Sequence, residues 1–544
     1  MSKRTNPLLP ALQAGMTRRE VWPSIGCGVL LAGNSMCART AEPSPVAETA
    51  YGRVRGVSLR GVHIFRGIPY GGPAEGGRRF LPPAKPAKWA GVRDAKVTGP
   101  RCVQGPGNIL LSPLIGEYFG GGRPDRVEIS RQDDSENCLV LNVLTPGLRG
   151  KRPVMFYIHG GGLSGGSSVL TLLGDGLVRE QDVVLVGVNH RLNVFGYTYL
   201  GGLSSKYAAG NAGQLDLVAA LQWVRENIAR FGGDPANVMI FGESGGGAKV
   251  SALMAMPATK GLFHRASVQS GSALRVGTAE AGTELARKLL ANLGLHESQV
   301  DELPKIPADK LFAAARAAGL GGTMVVDGHS IPQQTWDPTA PEVSATVPLL
   351  VGNDKDESTL FSLKNEALFS LDDAGLRASL VKAGTAEGDL DSLLALYRRD
   401  HPADSPTDLY FRISTDRGAR RNAIRQAERK AEQGRANVYM WYCQWNTPLG
   451  QGKFKIKSFH TCDLPLTMRL VRFPESEQLS RQLAGAWAAF ARTGNPSQKG
   501  LAWPAYTLAE RATMIFDGPK SEVVNDPDRD ERRMVRDRPS AGPL

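Results

Sequence analysis

The chain has 544 residues, 42% hydrophobic and 22% charged, a balance expected of a soluble globular protein long enough for one large enzyme. Its formal charge of +12 comes without a Lys/Arg run interleaved with aromatics, so the charge reads as a solvated surface and not as a nucleic-acid footprint. Outside the N-terminus no stretch is long and apolar enough for a membrane span, and no Cys-x-x-Cys or His-x-x-x-His spacing calls for zinc.

The first segment, residues 1–41, sets five basic residues (Lys3, Arg4, Arg18, Arg19, Arg39) against Glu20 alone. A twin arginine at 18–19 precedes the weakly apolar Ile25–Gly33 and small residues up to Ala41. This reads as a bacterial export signal, of twin-arginine or general secretory type, with Met16 as an alternative start. The product is expected in the periplasm or outside the cell. Residues 42–544 read as a single catalytic domain, its last ~20 residues a charged tail.

Gly52–Leu59 and Val62–Phe65 alternate and are separated by turn residues, which predicts an N-terminal antiparallel hairpin. Val140–Leu144, Val154–Ile158 and Val183–Val188 are short continuous apolar runs, as in strands buried on both faces. Leu215–Phe231 has helical periodicity, with Leu217, Leu221, Val224 and Ile228 on one face. Further strands are expected at Val238–Ile240, Arg265–Val268, Val347–Gly352 and Val438–Trp441. Helical stretches are expected at Ala279–Leu293, Leu376–Tyr397 and Asp416–Gln433. Strands alternating with helices predict an α/β fold with a central, mostly parallel, twisted sheet, helices on both faces and helical insertions.

Directly after Val238–Ile240 comes Phe241-Gly242-Glu243-Ser244-Gly245-Gly246, followed by small residues able to form a helix. A G-x-S-x-G turn between a strand and a helix is the nucleophile elbow of the α/β-hydrolase fold, with Ser244 at its apex. A serine nucleophile needs a base, an orienting acid and an oxyanion hole, and in this fold the acid and then the histidine follow the serine. Val347–Gly352 leads into Asn353-Asp354-Lys355-Asp356-Glu357-Ser358, where the acid is expected. Of eight histidines only His401 and His460 lie later. His401 sits in a hydrophilic surface stretch, so His460 is preferred. Tyr157-Ile158-His159-Gly160-Gly161-Gly162 offers a glycine loop whose N–H groups can meet an oxyanion; it lacks the Gly-Lys-Ser/Thr ending of a phosphate loop.

With these features the chain resembles the type-B carboxylesterases, the family of bacterial esterases, liver carboxylesterases and cholinesterases. The likeness runs from about residue 48 to 520. It is carried by Phe65–Tyr70, Ser135–Val143, His159–Gly162, Asn189–Leu192, Gly210–Gly213, Phe231–Pro235, the elbow, Gln269–Ser272, Val326–Gly328, Asp356-Glu357 and Phe490–Pro496. The resemblance implies that Ser244 is the nucleophile, Glu357 the acid and His460 the base. It implies oxyanion donors at the N–H groups of Gly161, Gly162 and Gly245, and a disulfide between Cys102 and Cys138. Glu243, Ser270 and Asp463 fall where the family has supporting polar groups.

The implied reaction is hydrolysis of a small carboxylic ester through an acyl-enzyme, with no metal or cofactor, by a monomer or a dimer. The competing readings are an amide, carbamate or lactone substrate at the same site, and an esterase-like binding protein. Two departures from the family stand out: Gly245 replaces its usual alanine, and Ser358 its usual glycine. The span Val103–Asn137 has no tryptophan, which argues against choline esters; its aromatics are Tyr118 and Phe119. Leu163, Tyr118 and Phe119, with Ile109, Leu110, Leu111, Leu114 and Ile115, suggest an apolar entrance. Cys443 and Cys462 are either a second pair or two buried thiols.

Overall fold

The computed structural model describes residues 44–105, 113–120, 132–450, 452, 454–518 and 520–536. The export segment and Ile109–Leu111 lie outside them. Among the described residues sixteen strands form three sheets. A small one holds β1 (Val46–Thr49), β2 (Gly52–Arg55) and β5 (Val92–Asp94). The central sheet begins with the antiparallel strands β3 (Val57–Leu59), β4 (Val62–Pro69) and β6 (Val140–Thr145). It continues through β7 (Arg152–Ile158), β8 (Val184–Val188), β9 (Gly233–Glu243) and β10 (Arg265–Gln269). A third sheet pairs β11 (Gly277–Thr278) with β12 (Val325–Val326). The central sheet is completed by β13 (Leu349–Asp354), β14 (Val438–Cys443), β15 (Ala512–Phe516) and β16 (Glu522–Asn525).

The central order is β16-β15-β14-β13-β10-β9-β7-β8-β6-β4-β3. From β8 across to β15 every pairing is parallel, and the two margins are antiparallel. Side-chain alternation explains why the central strands read as continuous apolar runs. On β7, Val154, Phe156 and Ile158 enter one core, Met155 and Tyr157 the other. On β9, Val238 and Ile240 divide from Met239 and Phe241 in the same way. The first core is covered by the helices Ala212–Asn227 and Gly245–Leu253, the second by the helix Glu477–Thr493 through Leu479, Leu483 and Trp487. Both faces of the sheet are therefore dry, as a parallel sheet requires.

Three expectations need correction. The first hairpin strand breaks at Gly56, whose N–H donates to Pro45 O at 2.9 Å; β2 joins the small sheet and only β3 pairs with β4. Leu376–Tyr397 is two helices, Asp373–Lys382 and Glu387–Asp400, parted at Gly384 with φ 83°. Together with Pro406–Thr415 they close a separate small core around Leu380, Leu393 and Ile413. The charged tail contains a helix, Arg529–Arg536, which buries Glu531 and Val535. Among the described residues no helix is long and apolar enough to cross a membrane.

Candidate active site

The site forms at the carboxyl ends of β7, β9, β10, β13 and β14, where open α/β sheets bind ligands. Strand β9 runs directly into Ser244, which has φ 58° and ψ −127° as the N-cap of Gly245–Leu253. A non-glycine residue held there stores roughly 1–3 kcal/mol of strain. Two backbone hydrogen bonds fix it: Ser244 N–H donates to Gln269 O at 2.8 Å, and Ala248 N–H to Ser244 O at 3.1 Å. The sharp turn leaves Ser244 only partly buried.

The glycine loop follows β7. Gly161 and Gly162 are exposed and take φ of 89° and 61°, open to glycine at no steric cost. A Cβ on Gly245 would lie 2.2 Å from Gly162 O and 2.5 Å from Gly162 Cα. The loop therefore packs against the elbow too closely for the alanine usual in the family, which accounts for the glycine. His159 Nδ1 lies 2.9 Å from Gly160 O and, facing a carbonyl, must be the donor. Burial and the neighbouring Lys249 push this imidazole down to about 3, so it is neutral and keeps that proton.

The acid and the histidine are brought together by a parallel bridge between Asp356 and Phe459. Asp356 N–H donates to Ser458 O at 2.8 Å, and Ser458 N–H to Asp356 Oδ2 at 3.2 Å. The next residue on each side is Glu357 and His460. His460 Nδ1 donates to Glu357 Oε2, while Glu357 Oε1 accepts from Asp354 N–H at 2.9 Å. Both oxygens of this buried carboxylate are thereby used. Among the described residues His460 Nε2 has no hydrogen-bond partner; it lies 3.3 Å from Oε1 of Glu243, the residue before Ser244.

Three carboxylates surround the imidazole. Burial pushes Glu243 up to about 8, with Asp463 and Glu357 adding to the rise and His460 opposing it. Burial pulls His460 down, but Glu243 and Glu357 outweigh it and hold the ring at about 9. Asp463, raised by burial to about 6, accepts from Gln269 Nε2. Ser270 is buried at φ 50°, its Oγ without a partner among the described residues.

Residues 43–533 match the Carboxylesterase family. The chain belongs to that family. It is 34% identical to the para-nitrobenzyl esterase of Bacillus subtilis, over 90% of this chain and 98% of that one. It is 31% identical to the liver carboxylesterase of Sus scrofa, over 88% and 91%. Among solved structures it is similar to the Geobacillus stearothermophilus carboxylesterase EST55 at pH 6.2, with a TM-score of 0.76, 34% identity and coverage of 90% and 99%. A second neighbour, with TM-score 0.75, 32% identity and coverage of 91% and 98%, is an esterase from Clostridium hathewayi that can hydrolyze aliphatic aromatic polyesters. This carboxylesterase is a serine hydrolase of carboxylic esters on the α/β-hydrolase fold.

Other residues of the carboxylesterase lie differently from their sequence reading. Tyr118 and Phe119 do not line an opening: both are buried, and the Tyr118 ring packs on Phe459 and Phe473 while its hydroxyl donates to Cys462 O at 2.6 Å. They brace the histidine loop from behind. Ile115 is also buried, whereas Leu163 is half-buried beside the glycine loop. Cys102 and Cys138 are neighbouring buried thiols and not a disulfide. The Cys102 sulfur is engaged by the backbone, accepting from Leu192 N–H at 3.2 Å. Cys443 and Cys462 are likewise thiols, their sulfurs 4.0 Å apart.

Among the described residues two groups bring metal-ligand atoms within 4.8 Å of one another: Asp354 with Cys443 and Cys462, and His401 with Asp528 and Glu531. In the first, the Cys462 thiol already donates to Asp354 at 3.3 Å; in the second, Arg420 occupies Asp528 at 2.6 Å. One site residue was missed in the sequence. Phe361, one turn after Glu357 and 53% exposed, holds its ring 4.8 Å from the His460 ring.

Proposed function

We propose that this carboxylesterase acts through Ser244, His460 and Glu357. The reading is carried by one observation: the buried Glu357 carboxylate accepts the Nδ1–H hydrogen bond of His460, so Nε2 is left unprotonated in the neutral ring and is turned to the elbow. His460 Nε2 takes the Ser244 proton as Oγ attacks the ester carbonyl, and Glu357 stabilises the imidazolium. The oxyanion is met by the N–H groups of Gly161, Gly162 and Gly245; a single such donor is worth about 2.7–4 kcal/mol in a known hydrolase. His460 then protonates the leaving alcohol, and water repeats the cycle on the acyl-enzyme. Ser244→Ala should remove hydrolysis of p-nitrophenyl butyrate; activity retained in that variant ends the assignment.

The substrate class proposed is an ester with an aryl or short acyl group. The exposed Phe361 ring over His460 and the half-buried Leu163 beside the glycine loop support it. A series of p-nitrophenyl esters of rising chain length on the purified enzyme tests this; rates independent of the acyl group count against an apolar pocket. Export is proposed from the twin arginine and the apolar stretch behind it. Cell fractionation checks it, with esterase activity in the periplasm or medium expected for the full chain.

A further inference from the structure

Lys249 stands between Ala248 and Val250 on the helix Gly245–Leu253, just over one turn beyond the elbow, and has 0% exposure. A buried lysine ordinarily meets a carboxylate, because an uncompensated ammonium is costly in a dry interior. Lys249 meets none among the described residues: burial is the sole influence on its ionisation and pushes it down to about 7. The titratable groups that face it are His159 and His190, both themselves lowered by burial and by Lys249. His190 stacks on His159 with ring centroids 4.6 Å apart. The helix Ala212–Asn227 adds only an amide, Gln214 Nε2, which donates to the Lys249 carbonyl at 3.2 Å.

Among the described residues the Lys249 ammonium makes one hydrogen bond, Nζ donating to His159 O at 3.1 Å. Side chains on a helix lean toward its N-terminus, so this reach is directed back to the elbow. His159 O is the carbonyl that opens the glycine loop. The next carbonyl, Gly160 O, accepts from the His159 ring, and the peptide it belongs to carries the Gly161 N–H. Two successive peptides leading to that donor are therefore pinned on their oxygens. A donor on a peptide oxygen also polarises the N–H across it, strengthening what that N–H can give. The glycines supply no side chains of their own to fix the loop.

We propose that Lys249 is a positioning residue of this esterase, tying the glycine loop to the nucleophile helix by its hydrogen bond to the His159 carbonyl. The proposal rests on the assignment of Gly161 and Gly162 as oxyanion donors. Lys249→Met keeps the length of the side chain and removes the donor; Lys249→Gln keeps a donor. The measurements are kcat and KM for p-nitrophenyl butyrate, with thermal unfolding beside them. In K249M, kcat should fall about tenfold or more, since small misplacements near reacting atoms are costly, with KM within about twofold of the parent. Its melting temperature should hold or rise, because a buried unpaired charge is gone. K249Q should recover most of kcat. A folded K249M with parental kcat overturns the proposal. So does a K249M that fails to fold or melts lower, or a K249Q as impaired as K249M, since Lys249 would then be a structural prop. Ser244→Ala separates the two levels: if it stays active the site assignment fails, whereas an inactive S244A beside an unimpaired K249M removes Lys249 alone.

Discussion

Glu243 and His460 lie 3.3 Å apart, both buried, so the charge on each bears on the ionisation of the other. In the mechanism proposed above, His460 must be neutral to accept the Ser244 proton. Carboxylates at Glu243 and Glu357 favour the imidazolium and hold His460 at about 9 against the downward pull of burial. Replacing Glu243 by Gln removes one of these counter-charges and leaves the Nδ1 bond to Glu357 in place. His460 then loses its proton at lower pH, and the acidic limb of kcat/KM should move down by about one pH unit or more. A pH–rate profile of E243Q that overlays the parent would show that Glu243 does not set the base. Gly245 belongs to the same scale: the sequence alone marked it as a departure, and the space beside it explains it, since a Cβ there would meet Gly162 O at 2.2 Å.

Among elements, the loop after β8 shows how the sheet ends are fixed. Arg191 forms a two-pronged pair with Asp216 on the helix Ala212–Asn227, at 2.8 and 2.6 Å, with Arg191 N–H also donating to Asp216 at 3.0 Å. Both side chains are buried. Arg191→Met strands the Asp216 carboxylate in the interior, and the loss on denaturant unfolding should be about 3–5 kcal/mol. A loss below about 1 kcal/mol, the value of an exposed pair, contradicts this account. The strands that were legible in the sequence are those buried on both faces, β6, β7, β8, β9, β10, β13 and β14, because short apolar runs between turn and helix signals have few other uses. What failed was local: β2 leaves its neighbour at Gly56, and Gly384 splits one apparent helix into two. Serine, acid and histidine could be ordered because this fold fixes their sequence. Phe361 and Lys249 could not be found, since each acquires meaning only from a neighbour distant in sequence, the His460 ring and the His159 carbonyl.

For the whole molecule, the charge of the C-terminus has a different meaning from the one its composition suggests. The end of the chain reads as a charged tail, yet two of its acids meet bases held elsewhere in the fold. Asp528 lies 2.6 Å from the buried Arg420 and Glu531 3.0 Å from His401, while Asp526 pairs with Arg532 within the tail itself at 2.7 Å. Val535 is buried with them. Arg420 itself rests on the Tyr442 ring, its guanidinium carbon 4.4 Å from the centroid, so the helix Arg529–Arg536 and its lead-in neutralise a cation at the edge of β14. A chain ending at Asn525 would leave Arg420 with Asp416 alone, at 3.3 Å. Losing a partner from a mostly buried pair costs up to about 3–5 kcal/mol, so thermal inactivation should begin several degrees lower than in the full chain. None of the described residues removed belongs to the site. At 25 °C kcat and KM should therefore be unchanged, measured as p-nitrophenyl butyrate hydrolysis per folded molecule. A truncated enzyme as heat-resistant as the full chain would return these residues to the role of a tail. One that was equally stable but slower would tie the helix to catalysis by a route that no contact described above provides.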